Sequence, residues 1–220
     1  AGLGLFPGDR VLLSAESSYD LVASYVAALR MGLVVIPTNT AYGARELEHV
    51  INDARPKAAL VDTSEKQAAL AAIDPDVHLL SPSLDISDGE TPSLDQGEPE
   101  SPALICYTSG TTGAPKGAVL SHANTLASAE GLRRAWRWTE ADRLLLALPL
   151  FHMHGLGVGL HGTLATGGSA VLHKSFQPDA ILSEIETQEA TLFFGVPTMY
   201  HRLASHPSAA ALARLRLCVS

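Results

Sequence analysis

The sequence predicts an α/β fold of mostly parallel sheets flanked by helices, and three observations carry that prediction. Short apolar runs alternate with amphipathic segments along most of the chain. Glycine and proline punctuate those segments where helices are expected to end. The composition, 46% hydrophobic and 17% charged over 220 residues, belongs to a folded protein with a real core rather than to a disordered chain.

Taken in order, the spacing predicts a strand at 11–15, a helix at 18–31, a strand at 34–37, a helix at 44–54 and a strand at 58–62, a βαβαβ rhythm. Gly32 stands where a C-terminal cap is expected, and Pro56 closes the second helix. Residues 82–102 break the rhythm with prolines at 82, 92, 99 and 102 among acidic residues and serines, which reads as an exposed linker or long surface loop. Two subdomains are therefore expected, 1–100 and 101–220. The second resumes with strands at 103–107 and 118–120, a helix over about 122–135 and an apolar strand at 144–148. A glycine-rich helix near 155–165 follows, then a strand at 170–173, a helix from Pro178 to about 188 and a strand at 191–194. A helix after Pro197 and a strand-like run at 215–220 complete the pattern.

Charge and cysteine content exclude several classes of function. A formal net charge of −8 argues against a nucleic-acid surface, which needs clustered Lys and Arg. Cys106 and Cys218 are too few and too far apart for a disulfide framework or a thiolate metal site, and are expected to be buried thiols in a reducing compartment. No run approaches the roughly 18 apolar residues of a membrane span, and residues 1–7 lack the basic flank of a signal peptide. The expected location is the cytoplasm, with no membrane partner.

Residues 107–117, Tyr-Thr-Ser-Gly-Thr-Thr-Gly-Ala-Pro-Lys-Gly, set three glycines, three threonines, a serine and one lysine between two apolar runs. Gly110, Gly113 and Gly117 allow the backbone to approach a ligand closely, so that successive amides can converge on anionic oxygens. The hydroxyls of Thr108, Ser109, Thr111 and Thr112 add neutral donors. Lys116 adds a compact positive charge, and Pro115 stiffens the chain before it. The string is not a Walker A loop, because no Ser or Thr follows the lysine and the flanking segments read as two strands.

The eleven-residue string resembles the signature of the adenylate-forming superfamily, which includes acyl-CoA synthetases, nonribosomal peptide adenylation domains and luciferases. Leu148-Pro-Leu-Phe-His-Met-His-Gly155 is similar to a segment of acyl- and aryl-CoA synthetases in that superfamily. Phe194-Gly-Val-Pro-Thr-Met-Tyr-His-Arg-Leu203 is most similar to malonyl- and methylmalonyl-CoA synthetases.

The resemblance implies the two subdomains of the superfamily's N-terminal domain, and a two-step reaction. A carboxylate attacks the α-phosphate of Mg-ATP, and a thiol such as coenzyme A then displaces AMP. ATP, Mg2+ and coenzyme A are the implied cofactors of a full-length member, and a small carboxylic acid, such as malonate or methylmalonate, is the implied substrate. By the same resemblance Thr108, Ser109, Gly110, Thr111, Thr112, Gly113 and Lys116 hold the ATP phosphates. His152 gates the acyl pocket, and Gly195, Val196 and Met199 line its floor. Arg202 and His201 are open to two readings, partners for a distal carboxylate or a solvent-facing helix turn. His152, His154 and His161 match no zinc spacing, so no metal ligand is expected. The adenosine contacts, the magnesium carboxylate and the adenylation lysine of the resembled enzymes have no counterpart here.

The chain is therefore expected to be clipped at its start and truncated at its end, a partial enzyme inactive alone. Three alternatives stand beside that reading: a noncatalytic nucleotide- or protein-binding module, a split enzyme completed by a C-terminal fragment, or an adenylation domain loading a carrier protein; a homo-oligomer is a further open partner.

Overall fold

A computed structural model describes residues 3–83, 93–95, 97–108 and 115–220. Two compact units emerge, Ala1–Thr125 and Leu126–Ser220.

The first unit is built on β1 (Arg10–Ser14), α1 (Tyr19–Arg30), β2 (Val34–Pro37), α2 (Ala44–Ala54), β3 (Ala58–Val61), α3 (Ser64–Ile73), β4 (His78–Leu80), β5 (Pro102–Thr108) and β6 (Lys116–Ser121). Its sheet runs in the order β4-β3-β1-β2-β5-β6, parallel throughout except that β6 returns antiparallel to β5. β1, β2 and β3 are buried along nearly their whole length, which is why they read as continuous apolar runs rather than as alternating strands.

Helix ends follow local chemistry. Ser18 caps α1 by accepting from the Leu21 amide. Gly32, at φ 72°, ends the same helix in a Schellman turn: its amide donates to the Leu29 carbonyl and the Leu33 amide to that of Ala28. In α2, Leu47, Val50, Ile51 and Ala54 form one apolar stripe that packs on Leu12, Ile36, Ala59 and Val61. Burying each of the larger side chains contributes about 1.5–3 kcal/mol.

Two expectations change here. The strands after the proline-rich stretch were assigned to the second subdomain, yet β5 pairs with β2 (Val35 opposite Leu104) and the units divide at Thr125 and Leu126. The reason is backbone satisfaction: β2 would otherwise be an open edge, and Ile105 and Tyr107 of β5 pack against the same core. In addition, α3 and β4 fill a stretch where the sequence suggested no element.

From the first unit α4 (His122–Trp136) leads into the second. Ser121 and Asn124 start it with reciprocal side chain to amide bonds, a capping box.

The second unit contains β7 (Arg143–Leu146), a π-helix (His154–Leu160) continuing into α5 (His161–Thr166), β8 (Ser169–Leu172), α6 (Pro178–Thr187), β9 (Leu192–Phe194), α7 (Pro197–Ala204), a 3-10 segment (Ala209–Arg214) and β10 (Leu217–Val219). All four strands are parallel, in the order β10-β9-β7-β8. On one face Ile181, Leu182, Ile185 and Leu203 cover Leu145 and Phe193.

Below the strands Asp142, 4% exposed, is bound by the Arg216 guanidinium, the Thr139 amide and the Thr191 hydroxyl. Burial pushes its carboxyl up, but Arg216 with the other donors outweighs that and holds it down at about 2. The two thiols are not both buried as expected: Cys106 is half-buried, while Cys218 lies exposed in the three-residue edge strand β10, where alternate side chains leave the core. Among the described residues, no helix is long and apolar enough to cross a membrane.

Candidate functional site

Two places in the chain gather the residues singled out from the sequence, one in each unit. The first is the hairpin of β5 and β6. Its register sets Thr108 opposite Lys116 and Tyr107 opposite Gly117. In an antiparallel pair such partners have Cα atoms roughly 4.5–5.5 Å apart. A hydroxyl and an ammonium are thus presented side by side at the hairpin's open end, and both residues are exposed. Among the described residues Lys116 has no ion-pair partner, so its charge is available to an anion. Ser109, Gly110, Thr111, Thr112 and Gly113 lie outside the described residues.

Gly117 makes the pairing with Tyr107 feasible. A Cβ there would sit 2.8 Å from Ile105 Cγ2 and 3.3 Å from Tyr107 Cζ. The Tyr107 hydroxyl donates to Asp53 Oδ2 at 2.5 Å, and His49 Nε2 donates to the Pro115 carbonyl at 2.7 Å. Neither α2 residue was a sequence candidate. On a helix, polar residues away from the apolar stripe read as solvent-facing, and only the i, i+4 spacing of His49 and Asp53 hints at a shared partner.

The second place is the carboxyl end of β7 and β9. The chain passes from β7 to its neighbour β8, then crosses to the other side of β7 to form β9. Such a reversal opens a crevice at the carboxyl ends of the two central strands, where open α/β sheets bind ligands. The turn after β7 carries His152, and the turn after β9 carries Gly195, Val196 and Met199. The structure therefore brings these four candidates to one end of the sheet.

His152 is exposed, its ring against Phe151 at 4.5 Å and its amide donating to the Pro149 carbonyl. Two residues on, His154 stacks on Phe194 with centroids 6.4 Å apart, tying one turn to the strand that precedes the other. Its Nε2 is buried without a hydrogen-bond partner among the described residues, and burial lowers its pKa. Phe194 in turn meets Trp136 and Trp138 edge-on at 5.3 Å each.

Gly155 opens the π-helix beneath this turn. A methyl at Gly155 would run into the Pro149 carbonyl and come within 2.9 Å of the Leu148 carbonyl. The helix widens because Val158 donates to Met153, five residues back.

Gly195 is buried, and its amide donates to Val219 of β10 at 2.9 Å. Val196 is 39% exposed, while Met199 is half-buried against the α6 and α7 core. The Tyr200 hydroxyl lies 2.8 Å from the carbonyls of both Phe193 and Val219, which fixes the start of α7. Arg202 is turned to the Phe176 ring, 5.2 Å from its centroid, and this contact favours a packing role. Among the described residues, no group of three or more His, Cys, Asp or Glu is arranged to hold a metal ion.

The family model described as AMP-binding enzyme matches residues 1–220. The chain belongs to the AMP-binding enzyme family.

Among curated relatives of the chain, the feruloyl-CoA synthase of an Amycolatopsis species is 37% identical over 93% of the chain and 42% of its own length. The malonate–CoA ligase of Arabidopsis thaliana is 33% identical over the whole chain and 41% of its own length. The crystal structure of ATP-bound MatB from Rhodopseudomonas palustris superposes with a TM-score of 0.86 at 37% identity, covering 99% of this chain and 45% of that one. The chain thus spans less than half the length of each of these three proteins.

Proposed function

We propose that the chain supplies the polyphosphate-binding and acyl-binding parts of an ATP-dependent carboxylate–CoA ligase. In this reading a carboxylate oxygen attacks the α-phosphorus of ATP and expels pyrophosphate. The thiol of coenzyme A then attacks the acyl carbon and expels AMP. The observation that carries the reading is the pairing of Thr108 with Lys116, the residues that end β5 and begin β6. Both can meet the phosphates that leave, and an ammonium there offsets charge that grows on pyrophosphate as the bond to the α-phosphorus breaks. Mg2+, when bound with ATP, adds charge neutralisation.

The crevice after β7 and β9 takes the acyl group. The imidazole of His152 borders it from one turn, and Gly195 and Val196 from the other, with Met199 beneath. We propose a small carboxylic acid as substrate, with malonate or methylmalonate favoured. Support comes from the segment Phe194–Leu203 and the likeness to a malonate–CoA ligase. The feruloyl-CoA synthase, at 37% identity against 33%, makes an aryl acid the competing choice.

Thermal shift in the presence of Mg-ATP, with malonate, methylmalonate and ferulate compared, tests this assignment. A rise in Tm with the dicarboxylates and none with ferulate is expected. A rise with ferulate alone would transfer the assignment to aryl acids.

A further inference from the structure

We propose that α2 is a strut for the paired strands β5 and β6, with His49 and Asp53 as positioning residues that hold Tyr107 and Pro115 and, through them, the spacing of Thr108 and Lys116. The inference rests on the phosphate-binding reading of Thr108 and Lys116 and adds to it the residues that hold those two in place.

The two contacts are complementary. His49 and Asp53 are one helical turn apart, so their side chains leave the same face of α2. Asp53 takes the hydrogen bond of Tyr107, the residue immediately before Thr108. His49 gives one to the carbonyl of Pro115, the residue immediately before Lys116. Each contact therefore holds the residue adjoining one that meets phosphate. The rings of His49 and Tyr107 also meet edge to face, 6.0 Å between centroids at 82°, so the two pins brace each other.

The rest of the hairpin explains why a strut is useful. Among the described residues β6 is the last strand of its sheet, joined only to β5, and Val119 on it is 57% exposed. A two-stranded extension without further support is marginal in water. α2, by contrast, is anchored by Leu47, Val50, Ile51 and Ala54 in the main core. Contacts from α2 to Tyr107 and Pro115 transfer that rigidity to the spacing of Thr108 and Lys116. Burial and the neighbouring Asp53 carboxylate raise the Tyr107 pKa well above its usual value, so the phenol keeps the proton that the contact needs. A neutral His49 with its proton on Nε2 and an imidazolium both donate to Pro115.

The test uses the 220-residue chain and inorganic tripolyphosphate, titrated calorimetrically. Tyr107→Phe deletes one pin and His49→Leu the other, each removing a hydrogen bond whose loss is expected to weaken tripolyphosphate binding about fivefold. The double variant is expected to weaken it by more than either alone. His49→Gln keeps a donor at similar reach and is expected to bind within about twofold of the parent. Amide exchange of peptides covering 106–117 should quicken in the deletion variants, while peptides covering β1 and β3 keep the parental rate; this separates lost positioning from general unfolding.

Lys116→Ala serves as reference. If Lys116→Ala abolishes binding while Tyr107→Phe and His49→Leu bind as the parent does, the strut is overturned and the phosphate reading stands. If the parent shows no Lys116-dependent binding, both fall. Equal loss in His49→Gln and His49→Leu would overturn the role of the His49 donor.

Discussion

The imidazole of His154 lies nearly parallel to the ring of Phe194, 6.4 Å between centroids and 19° between planes. That contact links the turn bearing His152 to the strand leading into Gly195, so the turns at the carboxyl ends of β7 and β9 share one aromatic cluster with Trp136 and Trp138. Replacing His154 with Ala removes a ring from this cluster and is expected to destabilise the second unit by about 2 kcal/mol, since the surroundings collapse only in part. His154→Phe, which keeps a flat ring and removes the unpartnered nitrogen, should retain parental stability. Urea unfolding followed by tryptophan fluorescence measures both.

Burial also governs the acid response. It lowers the pKa of His154 and takes that of His161 from 6.5 to about 4. A histidine whose folded pKa lies below its unfolded one protonates more readily in the unfolded chain. Stability is therefore fully present above pH 6.5 and declines as pH falls toward 4. Tm is expected to drop by roughly 5 °C between pH 7 and 4.5, and His161→Gln to flatten much of that drop. A pH-independent Tm over this window contradicts the assignment.

Asp142 acts at more acidic pH. Its folded pKa lies below the usual 3.8, so its contribution is present above that value and is lost as pH falls through about 2. Asp142→Asn leaves the Arg216 guanidinium without its carboxylate and is expected to cost about 2–3 kcal/mol, less than for a fully buried pair because Arg216 is partly exposed. The variant should also lose the parental decline in stability below pH 4.

Gly155 is intolerant of a side chain for a steric reason, because backbone carbonyls of Leu148 and Pro149 occupy the space. Gly155→Ala is expected to cost about 2–3 kcal/mol by forcing the turn open. Gly131, where a Cβ meets nothing within 4 Å, is the control: Gly131→Ala should stabilise α4 by about 0.5–1 kcal/mol. Equal effects at both sites would refute the packing argument.

Much of this was legible in the residues themselves. β2 and α2 occupy the predicted spans, because the apolar run and the stripe at Leu47, Val50, Ile51 and Ala54 have unambiguous periods. What escaped notice has physical causes. α3 buries only Leu70 and is rich in alanine, so its apolar face barely contrasts with its polar one. β4 is three residues long. The proline-rich stretch looks like a domain boundary, but pairing of β5 with β2 is a long-range event that local composition does not encode. For the same reason His49 and Asp53 read as surface residues until the sheet order sets the hairpin beside α2. Of the site, the motif residues stood out by type and spacing, whereas the ring of His154 gained a role only once β7 and β9 proved adjacent.

The central claim is that Lys116 meets the phosphates of ATP from the mouth of its hairpin, and calorimetric titration of Mg-ATP into the chain and into Lys116→Ala tests it most directly. The account predicts saturable binding by the parent and an affinity at least about tenfold lower in the variant, as expected for loss of a charge-assisted contact. Equal affinity in the two proteins, or none in the parent, would contradict it.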